Sequence, residues 1–148
     1  MKTIFDKQEQ QEFLKRIEKL TPETQNQWGK MNVAQMLSHC AIAMKMPSGE
    51  FSPALSPMRV IGQFFKKAAL GAKPFHKNSP TAKELVMTDP KEFAKEKAAL
   101  LDSFHKLVQG GEEKATAKMH PFFGKMSPAE WGQINYKHLD HHLRQFGV

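Results

Sequence analysis

"TDPKEFAKEKAALLDSFHKLVQGG" occupies residues 88–111. Phe93, Leu100, Leu101, Phe104, Leu107 and Val108 recur at three- and four-residue spacing, the period of an α-helix with one buried face. Asp89-Pro90 offers an opening, because proline is tolerated at a first helical position, and Gly110-Gly111 offers a stop. The same pattern recurs on either side. In "MNVAQMLSHCAIAMKM" (31–46), Asn32 can cap with Gln35 three residues on, and Val33, Met36, Leu37, Cys40 and Met44 form an apolar stripe. Earlier, Asp6 and Glu9 have capping-box spacing before Phe13, Leu14, Ile17 and Leu20. At the other end, Ser127-Pro128 with Glu130 opens a helix that runs to Gln145 or Phe146. No strand pattern competes. The reading is an all-α chain of four substantial helices with shorter extra ones, in a single domain over residues 1–148.

Residues 47–87 are the hardest to read. Pro47, Pro53, Pro57, Pro74 and Pro80 interrupt them, and "SPMRVIGQFFKKAALG" (56–71) reads as one helix between the breaks. A long crossing connection is expected here rather than a second domain.

Composition excludes several classes. The chain has 148 residues, 40% of them apolar, with eleven Phe and nine Met, enough for one core and too apolar for disorder. The lone Cys40 excludes an internal disulfide and fits a reducing compartment. The start, "MKTIFDKQEQ", turns polar after Phe5, and no stretch approaches the roughly 20 apolar residues of a membrane helix. A cytoplasmic protein without a membrane partner is expected. The formal charge of +7 permits an anionic partner without establishing one. Between Arg59 and Lys97, however, Glu84, Asp89, Glu92 and Glu96 interleave with the cations, and no nucleic-acid motif appears. A nucleic-acid-associated protein with structural histidines is therefore the least favoured reading.

Three of the seven histidines lie in "KHLDHHLRQF" (137–146). On a helical wheel, Trp131, Ile134, Leu139, Leu143 and Phe146 define the apolar sector. His142 falls within about 30° of its centre, His138 within about 70°, and His141 at about 130°. His138 and His142 thus stack one turn apart on the inward face, the i, i+4 spacing with which helices hold metals. Two neutral imidazoles in a core each need polar partners, and a shared ion satisfies two nitrogens at once. The bland alternative is a pair of hydrogen-bonded core histidines. A third ligand is required, and His39, Cys40, His76, His105 and His120 are the remaining nitrogen and sulfur candidates.

"WGKMNVAQMLSHC" (28–40) resembles the second-helix signature of the DinB/YfiT-like superfamily, a Trp followed by an N-x-A-x-M/L-L-x-H run. "HPFFGKMSPAEWGQINYKHLDHHLRQFG" (120–147) resembles the closing segment of a DinB-like branch that is itself a domain of unknown function. The resemblance implies a four-helix bundle with a divalent metal, often zinc or nickel, on His39, His138 and His142. It further implies either a thiol-dependent transferase using a low-molecular-weight thiol or a protein of no known activity.

Three neutral nitrogens leave the metal's charge uncompensated, as hydrolysis or thiol activation at an open position requires. The competing reading is a metal-containing bundle that binds a ligand or partner without turnover. No general base stands out, since the position after His138 is Leu139 and not a glutamate. Asn135 and Gln145 lie toward the inward side and could orient a ligand. His120, Tyr136 and His141 are candidates for contact with a small-molecule substrate. Trp28 and Trp131 read as core. Apolar residues left outside a core this small would also allow a homodimer.

Overall fold

A computed structural model describes residues 1–57 and 59–148. The described residues are mostly helical: α1 (Lys7–Glu18), α2 (Val33–Ala43), α3 (Arg59–Leu70), α4 (Phe93–Lys114) and α5 (Pro128–Gln145). A 3₁₀ turn spans Lys83–Leu85. A two-residue antiparallel ladder, unforeseen in the sequence, pairs β1 (Met119–His120) with β2 (Gly124–Lys125).

Helix starts follow the local chemistry. Asn32 and Gln35 form a reciprocal capping box, as do Ser127 and Glu130, with Pro128 in the first turn. At α1 only half of the expected box forms. Asp6 Oδ1 accepts from the Gln8 and Glu9 amides, while the Glu9 carboxylate pairs with Lys2 at 2.8 Å. The opening of α4 is not Asp89-Pro90. Glu92, directly before the first core-facing residue, accepts from the Ala94 and Lys95 amides at 2.9 Å and outcompetes the earlier site. Gly111 breaks the helix as expected, with φ 59° and ψ −159°, but one further turn forms beyond it. The predicted 56–71 helix is observed as Arg59–Leu70, with Met58 outside the described residues.

One core draws on four helices: Phe13 and Ile17 of α1, Met36, Leu37 and Cys40 of α2, Leu100 and Phe104 of α4, Leu139 and Leu143 of α5. A second core, including Met46, Leu70, Leu85, Trp131 and Ile134, lies beneath the 47–87 connection. Cross-links tie the elements together. Lys97 of α4 donates to the Glu18 and Leu20 carbonyls at the end of α1, and Arg16 of α1 pairs with Asp140 of α5 at 2.8 Å. α2 and α5 share the first core, and His39 of α2 lies against the C-terminal half of α5. Among the described residues no helix is long and apolar enough to cross a membrane.

Candidate metal centre

His39 projects from α2, and His138 and His142 from α5, into one cluster. The ring centroids form a near-equilateral triangle with sides of 4.9 Å (His39–His138), 4.6 Å (His39–His142) and 4.6 Å (His138–His142). One nitrogen of each ring lies within 4.8 Å of the others. His39 Nε2 and His138 Nε2 are 2.9 Å apart. Two nitrogens held by one ion at about 2.0–2.1 Å sit about 2.9 Å apart at a right angle and about 3.4 Å apart in a tetrahedron, so this pair already has ligand spacing.

Two of the rings are locked from behind. His39 Nδ1–H donates to the Leu85 carbonyl at 2.8 Å, which leaves Nε2 bare. His142 Nδ1–H donates to Gln145 Oε1 at 2.8 Å, and Gln145 Nε2 donates in turn to the Trp28 carbonyl at 2.7 Å. The second bond fixes which end of the amide faces the histidine, since a carbonyl can only accept. Such outer partners set tautomer and ring orientation at metal sites. The donor set fits a divalent ion: three neutral nitrogens within 4.8 Å of one another, two of them on rings held by an outer hydrogen bond.

Burial keeps the rings neutral. It lowers the His39 pKa, with His141 adding repulsion. It holds His138 well below the ordinary range, assisted by His142 and His39. It lowers His142 to about 3, assisted by His39. Neutral imidazole is the ligating form, so no proton must leave these rings before an ion binds.

The other candidates are distributed around this triangle. His141 stands outside it, half-buried, 5.2 Å from the His142 ring and edge-on to Trp28 at 5.7 Å. His120, on β1, is stacked on Phe123 at 4.6 Å, and its Nδ1 accepts from the Phe122 and Phe123 amides. Its proton therefore sits on Nε2, making it a donor; burial lowers its pKa to about 4, and its charge would act on His138. Asn135 spends its amide on the Trp131 carbonyl one turn back. Tyr136 leans away toward α1, 5.1 Å from Phe13 with Lys2 over its ring. Cys40 is buried against Met36 Sδ, and burial pushes its thiol pKa up. His76 and His105 are exposed.

Three features of the surroundings escape a sequence reading. The Leu85 carbonyl is backbone, from the stretch that could not be read. Lys77 lies over the Trp28 ring at 4.6 Å, and Phe75 sits 6.0 Å from His141, both from the same stretch. Trp28, expected in the core, is only partly buried and carries a buried Nε1 donor with no acceptor among the described residues.

No curated protein and no solved structure matches the chain. Its family is nonetheless defined: over residues 3–147 the sequence matches, and the chain belongs to, the family described as protein of unknown function (DUF1569).

Proposed function

We propose that this chain is a metal-dependent enzyme of the DinB-like kind, a single domain over residues 1–148 in which α1, α2, α4 and α5 form a four-helix bundle. His39, His138 and His142 hold one divalent ion, zinc or nickel, at its centre. The observation that carries the reading is the triangle itself: three imidazoles from two helices with their nitrogens within 4.8 Å. When bound, such an ion lowers the pKa of a coordinated water or thiol and polarises an oxygen.

The chain's own groups supply the rest. The Leu85 carbonyl and Gln145 hold two ligand rings in phase. His120, neutral with its proton on Nε2, can donate to a developing negative charge. The unpartnered Trp28 Nε1 offers a second donor to a substrate oxygen, the kind of orphan group whose partner is a ligand. His141, between Trp28 and Phe75, contacts the substrate rather than the ion. The reaction class is thiol transfer or hydrolysis on a small molecule. One observation favours a binding bundle without turnover: among the described residues the converging set is all histidine and includes no carboxylate.

Metal analysis of protein prepared without an affinity tag or metal column tests the reading. About one equivalent of divalent metal, removable by chelator and restored on addition, is expected. A chain that neither retains nor rebinds metal would refute it. Screening thiol-transfer and ester-hydrolysis substrates with the loaded and chelated forms then separates enzyme from binding bundle.

A further inference from the structure

The outer face of α3 lies apart from the candidate metal centre and gathers four exposed large apolar side chains. Val60, Ile61, Phe64 and Phe65 are 59%, 51%, 79% and 62% exposed. With Ala68 they span about 140° of the helix wheel, all on the solvent side. The inward side holds Gly62, Lys66, Ala69 and Leu70, of which only Leu70 is fully buried. A helix that serves only its own core turns its apolar stripe inward. This one does the opposite.

The orientation is built in. Gly62 lies so close to the Phe122 carbonyl that any Cβ there would collide with it, which fixes the phase of the helix. Lys66 Nζ reaches inward to Glu130 and to the Lys125 carbonyl, both at 2.8 Å. Lys137 closes the C-terminal end, donating to the Ala69 and Gly71 carbonyls. These contacts hold the polar side against the body and stop the helix from rolling its phenylalanines into the second core.

Charge indicates the occupant. From residue 51 to residue 83 the sequence contains no Asp or Glu, against Arg59, Lys66, Lys67, Lys73, Lys77 and Lys83. Lys67 is exposed and lies next to Val60 on the helix wheel, and Lys73 and Lys77 are exposed in the segment that follows α3. A second copy docked isologously would bring two copies of this basic segment together, with no carboxylate in the segment to offset them. An apolar comb rimmed by cations matches the acyl and headgroup layers of an anionic bilayer.

We propose that α3 is an interfacial anchor that lays Phe64 and Phe65 into the surface of a membrane rich in anionic phospholipid. The expectation of no membrane partner rests on the lack of a spanning segment, and a helix lying in the interface needs none. The proposal is independent of the metal reading.

The test is sedimentation of the full chain with phosphatidylcholine vesicles, with and without about 30 mol% phosphatidylglycerol. The wild type should bind the anionic vesicles and bind pure phosphatidylcholine at least about tenfold more weakly, with binding falling as salt is raised. Phe64→Ser with Phe65→Ser, and separately Lys67→Glu with Lys73→Glu, should each cut binding by about tenfold or more while helicity and metal content stay unchanged. Failure of the wild type to bind, or equal binding by the serine pair, would overturn the proposal. So would a wild-type dimer, by light scattering, that the serine pair dissociates.

Discussion

At the scale of single residues, helical phase separates the three clustered histidines. His138 and His142 share the inward face of α5 and His141 does not, so substitutions should sort the same way. His138→Gln and His142→Gln should each lose most bound metal, and His141→Gln should keep it; equal loss in His141→Gln would defeat the phase argument. His39→Ala should weaken metal binding by about 100-fold or more while circular dichroism shows the helices intact, because outer contacts alone are worth 10- to 100-fold and a ligand is worth more. Near-native affinity in that variant would remove His39 from the site. Gln145→Leu tests the orienting bond. It leaves the His142 Nδ1–H without its acceptor and should lower metal affinity by about 10- to 100-fold. The i, i+4 pair was legible because both residues lie on one helix. The third member of the triangle was not, because it lies on another helix, 99 residues away in sequence from His138. Only resemblance to a known pattern pointed to His39. The Leu85 carbonyl had no side-chain signal at all.

At the scale of elements, the sequence was readable where capping chemistry and apolar period agreed. α2 and α5 begin where Asn32-Gln35 and Ser127-Glu130 say they should. Ser127→Ala should therefore cost about 1 kcal/mol, read as a lower urea midpoint with metal content unchanged. α4 misled because Asp89-Pro90 and Glu92 both offer an opening, and the choice depends on packing near Phe93 that spacing alone does not encode. The 47–87 connection resisted for a different reason: α3 is held by polar and backbone contacts and turns its apolar side out, so its period says nothing about where it docks. The turn at Trp28-Gly29 shows how an unremarkable loop serves the site. Gly29 has φ +83°, and a Cβ there would lie 2.5 Å from Gln145 Nε2, the atom bonded to the Trp28 carbonyl. Gly29→Ala should cost about 1–3 kcal/mol of stability through backbone strain. It should also weaken metal binding by displacing Gln145 from His142. A stability loss with unchanged metal affinity would show that the turn is structural only.

At the scale of the whole molecule, the fold stores neutral histidines in its interior, and that storage has a cost in acid. In the metal-free chain His39, His138, His142 and His120 all titrate below their ordinary value of 6.5, His142 near 3 and His120 near 4. Burial is the leading cause for each. Above pH 6.5 the rings are neutral in both the folded and the unfolded chain, and they add no pH dependence. Below it the unfolded chain takes up protons that the buried rings cannot, so stability is lost as pH falls and continues to fall toward the folded values. Each such ring contributes a slope approaching about 1.4 kcal/mol per pH unit. Carboxylates titrate mainly below pH 5, so the interval from 6.5 to 5 isolates the histidines. Urea midpoints of the chelator-treated protein should therefore fall steeply across that interval. His142→Gln should flatten the fall by about one ring's share, because glutamine takes up no proton in either state. Bound metal should raise the midpoint at each pH without moving the onset, because the onset is set by the unfolded chain, to which the ion is not bound. A flat profile in the metal-free protein would mean that the cluster opens to water and takes up its protons while still folded.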